Sequence, residues 1–139
     1  MADVAYPEEA IVGMLERDEA VTAIASAACI FPVAVDASVT QPYLVYRRTS
    51  IEPASMDLDN RQYNAQLTIS CSALSYATVR QLAKAVKNAL IGKTFVDGAI
   101  EINTIMLMGE QDGFDPPLAG RTKPLYDVEL EFDYSYEEL

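Results

Sequence analysis

The sequence contains no histidine and only two cysteines, Cys29 and Cys71, among its 139 residues. Catalytic triads, HExxH zinc sites and Cys/His zinc fingers need histidine or several cysteines, so this inventory excludes them. A cysteine nucleophile would need a base to form its thiolate; without histidine, only a lysine could serve in principle. We interpret both cysteines as buried, reduced apolar residues, and we predict no catalytic residue, no metal, no cofactor and no enzymatic activity.

Basic residues are scarce, with 10 against 21 acidic residues and a net charge of −11. A field of that sign repels phosphate backbones and anionic lipid headgroups, so we expect no sequence-specific nucleic-acid binding. Six acids lie in the last thirteen residues without a base, which leaves 15 acids against 10 bases, or −5, over residues 1–124. Half of the residues are apolar, which predicts one packed domain over residues 1–139.

Long apolar runs are also missing. The longest weakly apolar run, Ala20 to Val35, has sixteen residues, is interrupted by Pro32, and is shorter than the ~20 that a membrane-spanning helix needs. The sequence begins MADVAYPEEA, with acids where a signal or transit peptide would carry bases. We therefore expect no membrane association and synthesis in the cytoplasm.

Two regions have helical periodicity. Apolar residues recur at helical spacing from Pro7 to about Ala28 and predict one helix, or two helices broken near Asp18. A second helix is predicted from Ser75, which can cap it, to Leu90, with Gly92 placed to end it. The segment IFPVAV after the first region predicts at most a brief strand or edge segment.

The remaining patterns predict strands. PYLVYRR, KTFV and IEINTIML are strand-like, with Asp97-Gly98 as a hairpin turn, and the run from Ala65 to Ser72 alternates cleanly between apolar and polar residues. The segment LYDVELEFDYSY alternates in the same way and closes the sheet. Long polar loops are predicted near residues 50–62 and 109–124. The expected fold is α+β, a mostly antiparallel sheet with two main helices packed on one face, in the order α-β-β-β-α-β-β.

Two charged clusters are candidate interaction surfaces. Three basic residues share one flank of the second helix; they are Arg80, Lys84 and Lys87, and we call them the basic stripe. Four acids project from one face of the last strand at intervals of ~6.8 Å; they are Asp127, Glu129, Glu131 and Asp133, and we call them the acid ladder. Each cluster is either a solvated surface or an interface, and the ladder could also line a passage that must not adhere to DNA.

Two motif-like segments fail on spacing. Gly92-Lys93-Thr94 has the end of a P-loop, but Lys87 stands where the motif needs glycine, and the segment follows a helix instead of starting one. The oxygen-rich runs DLDN (57–60) and EQDGFD (110–115) lack the calcium-loop spacing, so we interpret both as solvated turns.

The order of these segments resembles the tail-completion or tail-terminator family of long-tailed phages and prophages. The likeness runs from IVGMLERDEAVTAIA through QPYLVYRRTSIEP to YNAQLTISCSALSYATVRQLAKAVKNAL, and PYLVY and SYATVRQLAKAV are the nearest matches to the family pattern. It covers nearly the whole chain, is loose in the C-terminal third, and contains no single diagnostic motif.

The resemblance implies a structural virion protein without enzymatic activity. Its copies would form a ring, commonly a hexamer, at the head-proximal end of the tail tube, stop tube growth and join the tail to the head. The partners implied are further copies of the chain, the tail-tube protein and a head-tail connector protein, with DNA passing through the lumen. Candidate subunit or tail-tube contacts are the basic stripe, the acid ladder, and Arg47, Arg48, Met56 and Arg61, with the loop from Ile51 to Arg61 against the tube.

Two alternatives remain open. One is a neighbouring connector, such as a stopper or head-completion subunit. The other is a small-ligand-binding α+β module with a pocket between helix and sheet, for which the sequence supplies no convergent polar cluster.

Overall fold

The computed structural model describes residues 6–33, 42–53, 61–115 and 124–138. The helices are α1 (Pro7–Arg17), α2 (Glu19–Thr22) and α3 (Tyr76–Leu90), with a single 3-10 turn at Ala27–Cys29. The strands are β1 (Ile30–Pro32), β2 (Tyr43–Pro53), β3 (Gln62–Ala73), β4 (Phe95–Asp97), β5 (Ile100–Asp115) and β6 (Leu125–Glu138). The predicted α+β class is confirmed, and three strands follow α3 because KTFV forms β4.

The six strands form one sheet in the order β1-β2-β3-β6-β5-β4. Every neighbouring pair is antiparallel except β1 and β2, which are parallel. Helix α3 lies against β3, β5 and β6, and α1 and α2 pack against α3. None of the described helices combines the length and the apolar character needed to cross a bilayer.

The first helical region consists of two helices that are separated at Asp18. Of the two arrangements predicted from the sequence, one helix or two, the second is therefore found. Asp18 has extended backbone angles, φ −83° and ψ 118°, which end α1. Its carboxylate then accepts a hydrogen bond from the Val21 N–H at 3.1 Å and so caps α2. One residue therefore ends one helix and starts the next.

Helix α3 buries its apolar stripe against the sheet as predicted. Val79, Leu82, Val86 and Leu90 are each 0 % exposed. Ser75 occupies the N-cap position but makes no side-chain capping bond. Gly92 follows the helix with φ +78°, a conformation that favours glycine, and its N–H donates to the Ile105 carbonyl at 2.8 Å. The Gly-Lys-Thr segment therefore follows a helix C-terminus, as the sequence indicated.

The centre of the sheet is the antiparallel pair of β3 and β6. Residues of β3 from Gln62 to Ala73 pair with Glu137 to Tyr126 without a break. The predicted apolar faces of both strands point towards the helices and are buried. Burial is also the main reason that the pKa of the Cys71 thiol is raised, which leaves it protonated and unreactive at neutral pH.

The predicted boundaries of both loops were wrong at their N-terminal ends. Strand β2 continues to Pro53, so residues 50–53 belong to the sheet. Strand β5 continues to Asp115, so residues 109–115 are strand instead of loop. The rest of both predicted loops, residues 54–60 and 116–123, lies outside the described residues.

The two outer strands are short and cover only part of their neighbours. Strand β1 pairs with Leu44–Tyr46, and Val33 then leaves the sheet with φ +63° while its N–H donates to the Tyr46 carbonyl at 2.9 Å. Strand β4 pairs with Ile100–Ile102, and backbone bonds from residues 92 and 93 extend this cover to Ile105. The outer edges of residues 47–53 and 106–115, which we call the β2 free edge and the β5 free edge, pair with no described strand.

Candidate functional site

The face of the sheet opposite the helices, which we call the open face, has a strong excess of acid. The strand registers place seven carboxylates on it: Glu52, Glu101, Asp127, Glu129, Glu131, Asp133 and Glu137. Among the described residues of the four long strands, Arg47 is the one cation on this face. Like charges on adjacent positions repel each other, so the described carboxylates of this face destabilise one another.

The acid ladder lies along the middle of the open face. The prediction that its four members share one face is confirmed, and their neighbours on β3 are polar: Ser72, Ser70, Thr68 and Gln66. The Ser72 hydroxyl donates to Asp127 Oδ1 at 2.6 Å. Ser72 and Thr68 are buried although they lie on the open face. The hydroxyl groups of Thr68 and Thr49 share a hydrogen bond of 2.9 Å. The floor beside the ladder is therefore packed and hydrogen-bonded.

On the other side of the ladder, β5 presents glycines. Gly109 pairs with Glu131 and Gly113 pairs with Asp127. A Cβ atom at residue 109 would lie 3.6 Å from Glu131 Oε2, and one at residue 113 would lie 3.5 Å from Asp127 Cβ. Because these positions carry no side chain, the carboxylates stay accessible across β5.

The open face is uneven. A depression of about 410 Å³ lies beside Ser72, Gly113 and Asp127, and a larger one of about 690 Å³ lies beside Met106 and Asp133. Met106, with 51 % of its surface exposed, lines this second depression, and Met108, with 58 % exposed, lines a smaller one of about 240 Å³ beside Glu131 and Asp133. Exposed methionines beside a depression are typical of surfaces that adapt to a protein partner.

The two arginines of β2 point to opposite faces of the sheet. Arg48 lies on the helix side, where its Nη1 is 3.7 Å from Glu8 Oε1 of α1. Burial, followed by the charge of Glu8, raises the pKa of Tyr134 in this region. Arg47 lies on the open face, is exposed, and makes no ion pair with a described residue.

Two of the three residues of the basic stripe make contacts within the chain, and the third is exposed. Lys87 Nζ lies 2.9 Å from Glu110 Oε1 of β5. Arg80 lies with its guanidinium carbon 5.5 Å from the centre of the Tyr76 ring. Lys84 is exposed and makes no ion pair with a described residue. The middle of the stripe is therefore the part that remains available to another molecule.

Tyr76 links the start of α3 to the end of β5. Its hydroxyl donates to Asp112 Oδ2 at 2.7 Å, and this hydrogen bond is the main reason that the pKa of Tyr76 is raised. The Tyr126 ring lies between those of Tyr76 and Phe114, with centroids 5.8 Å and 5.3 Å away. Phe114 is nevertheless 56 % exposed, so this aromatic cluster continues to the molecular surface.

The sequence interpretation missed the residues of β5 that shape this region. Gly109, Gln111 and Gly113 lie on the open face, and Glu110 and Asp112 lie on the helix side. This alternation was the available signal, but the glycines and acids favoured a turn. Of the other candidates, Arg61 is exposed beside the start of β3 and its carbonyl accepts the Glu138 N–H at 3.0 Å, whereas Met56 lies outside the described residues.

The described part of the chain has no group of three or more cysteine, aspartate or glutamate side chains arranged to hold a metal ion. Its carboxylates lie instead in a row along one strand face. Such an arrangement provides a surface of one charge sign, which selects partners electrostatically.

The fold is similar to that of proteins of known structure. A chain from the virion of a native gene transfer agent particle matches with a TM-score of 0.66 and 15 % sequence identity, over 91 % of this chain and 91 % of that one. A second solved chain matches with a TM-score of 0.52 and 14 % identity, over 94 % and 96 % of the two chains. At these identities the similarity concerns the fold.

Sequence comparison identifies the family. No curated protein sequence matches the chain. The sequence profile described as tail completion protein gp17 matches residues 9–131, which include α1 from Glu9 onwards, α2, α3, β1 to β5 and the first half of β6. The chain therefore belongs to the gp17 family of tail completion proteins, and it is a structural protein of the virion tail.

Proposed function

We propose that copies of this chain form a ring at the head-proximal end of the tail tube, where the ring stops tube polymerisation and joins the tail to the head. The observation that carries the proposal is the pair of free edges on opposite sides of one sheet. A subunit with two different edges can contact two neighbours, and head-to-tail contacts of this kind close into rings when the rotation permits.

The acid excess of the open face supports a role at the DNA path. Seven carboxylates and one arginine give this face a field that repels phosphate. Turned towards the lumen, it would let DNA pass without adhering. In this arrangement the segment between β2 and β3, with Met56 and Arg61, is the proposed contact to the tail-tube protein, and the chain catalyses no reaction.

The first experiment deletes the gene from the phage or prophage that encodes the chain. Loss of a tail terminator removes the stop on tube growth, so we expect tails of irregular and excessive length by electron microscopy, restored by the wild-type gene. Tails of normal length without heads would instead assign the chain to a neighbouring connector. Intact particles that lack the chain by mass spectrometry would contradict both roles.

The assembly itself is tested on the purified chain by native mass spectrometry and electron microscopy. We expect annular oligomers of about six copies, as head-to-tail contacts permit. A monomer that remains monomeric at high concentration and on isolated tail tubes would contradict the ring.

The basic stripe is tested at Lys84, because this residue is exposed and makes no ion pair with a described residue. If the stripe contacts an acidic partner, Lys84→Glu weakens attachment of the ring to its partner and leaves the unfolding free energy within about 0.5 kcal/mol of wild type. Lys93→Glu, at an exposed lysine after α3 and outside the stripe, is the matched control and should leave attachment unchanged. Unchanged attachment with Lys84→Glu would make the stripe a solvated surface.

A further inference from the structure

We propose that neighbouring copies join edge to edge: the β5 free edge of one copy pairs antiparallel with the β2 free edge of the next, and Arg47 of the second copy reaches the acid ladder of the first. This joint rests on the proposed ring and specifies how its subunits meet. It also identifies the occupant of both free edges as a second copy of the chain.

Strand direction favours this joint. The strands β2, β3, β6 and β5 alternate in direction, so β5 runs opposite to β2. A neighbour placed with its open face on the same side presents β2 antiparallel to β5 and continues the alternation. All open faces then lie on one side of the assembly, as a common acidic lumen requires.

The short outer strands define the offset between the copies. Positions along the sheet can be compared by the β3 residue that lies beside them. Pro53, at the end of the β2 free edge, pairs with Tyr63. Met106, at the start of the β5 free edge, pairs with Asp133, which pairs with Gln66 of β3. The neighbour must therefore slide at least three residues to clear β4. With a slide of four residues, β1 of the neighbour lies level with Phe114 and Asp115, so β5 must leave the joint after Gly113. Side chains alternate between faces, so an even offset of about four residues, ~14 Å, keeps the faces matched.

This offset places Arg47 beside the glycines. Within its own chain Arg47 is level with Thr68, and an offset of four residues brings it level with Ser72 of the neighbouring copy, where Gly113 and Asp127 lie. From β2 of one copy across β5 to β6 of the other is two strand spacings, roughly 10 Å. Gly113 has no side chain to obstruct the path, so the guanidinium can approach the carboxylate.

Charge and exposure support the same partner. Arg47 makes no ion pair with a described residue of its own chain, and the acid ladder presents four carboxylates in a row along one strand face. The joint brings the two together at every interface. It also covers part of the exposed apolar surface of Met108, which an unpaired edge otherwise leaves open to aggregation.

The joint is tested with a cysteine pair in the full chain. Arg47→Cys with Gly113→Cys places the two thiols across the proposed interface, so mild oxidation should give a series of covalent dimers, trimers and larger oligomers. The native Cys29 and Cys71 are buried and give a low background. The matched control is Arg47→Cys with Asn103→Cys, because Asn103 lies on the open face of the part of β5 that residues 92–97 cover.

The outcomes separate the joint from the ring. Annular oligomers with cross-linking specific to the 47–113 pair support both. Open filaments with that cross-linking support the joint and overturn the ring. Rings in which the pair does not cross-link, or in which the control pair cross-links equally well, overturn the joint and leave the ring. An absence of both oligomers and cross-links overturns both.

A charge variant provides a second measurement without cysteines. Arg47→Glu should raise the dissociation constant for self-association by at least about 10-fold, Arg47→Lys by less, and the effect should shrink in high salt. Arg17→Glu, at an exposed arginine in the last turn of α1 and outside the joint, should leave the constant within about twofold. Self-association equal to wild type in Arg47→Glu would overturn the Arg47 contact.

Discussion

The two faces of the central strands differ in almost every property although their residues alternate along the same strands. On the helix side, Leu67, Leu130 and Phe132 are at most 1 % exposed. On the open face, the residues between them are polar: the acids are in contact with water, whereas the hydroxyl residues Thr68 and Ser72 are buried and hydrogen-bonded. The apolar packing lies on the covered face, so the open face can carry charge without interrupting the hydrophobic core.

The largest expected effect comes from emptying the covered face. Phe132→Ala should lower the unfolding free energy by about 3–5 kcal/mol, because it removes a fully buried ring and leaves a cavity. Glu131→Ala, one residue earlier on the open face, is the control and should change it by at most about 0.5 kcal/mol. Urea unfolding measures both. Similar losses would contradict the division between the faces.

The next effect concerns the hydrogen bond from Ser72 to Asp127 of the ladder. Ser72→Ala removes this donor at 2.6 Å and should cost about 1–2 kcal/mol, because a partly buried carboxylate loses a hydrogen-bond donor. Ser70→Ala, two residues earlier on the same face, should cost less. If Ser70 matters as much as Ser72, the Asp127 contact does not contribute to stability.

A smaller effect depends on pH. The folded-state pKa of Tyr134 is raised, mainly by burial, above the ordinary value of 10.0. The stability gained by keeping this phenol neutral is fully present below pH 10 and is lost as the pH rises further. Tyr134→Phe should therefore reduce the alkaline loss of stability by on the order of 1 kcal/mol, with Cys71 unchanged in both proteins. Identical alkaline slopes would contradict the burial of a titrating Tyr134.

The smallest effect is a gain in stability. Glu131→Gln removes one charge from the ladder and should stabilise the isolated chain by a few tenths of a kcal/mol, roughly the repulsion of exposed carboxylates ~6.8 Å apart. The gain should disappear in high salt because exposed charges are screened. Glu16→Gln on the exposed side of α1 is the control without the ladder. A loss of stability in the monomer would mean that Glu131 has a favourable contact of its own.

Sequence periodicity was sufficient to predict a helix or strand where one of its sides is buried in the hydrophobic core. The apolar stripe of α3 and the alternation of β3 and β6 predicted these elements and their buried faces, since their partners are all apolar. The break at Asp18 was also predictable, because a short acid that caps a helix has a local signature. The shared face of the acid ladder followed from alternation alone.

The far end of β5 could not be predicted in this way because its composition is determined by other strands and by α3. Glu110 pairs with Lys87 and Asp112 accepts a hydrogen bond from Tyr76, contacts separated by 23 and 36 residues. Gly109 and Gly113 stand opposite ladder carboxylates. Locally these four residues look like a turn, and only their distant neighbours make them a strand. Arg48 has an ion pair with Glu8, and Arg47 has none with a described residue; this difference likewise depends on which elements cover each face of the sheet.

Val33 has a left-handed backbone, which costs a β-branched residue of order 1–3 kcal/mol, immediately after β1. Its N–H still donates to the Tyr46 carbonyl, so the strained residue is itself anchored to β2. Replacing Val33 with glycine would relax the strain, because glycine adopts a positive φ at little cost. The cost at Val33 therefore falls at the boundary between the part of β2 that β1 covers and the part on which the proposed second copy would pair.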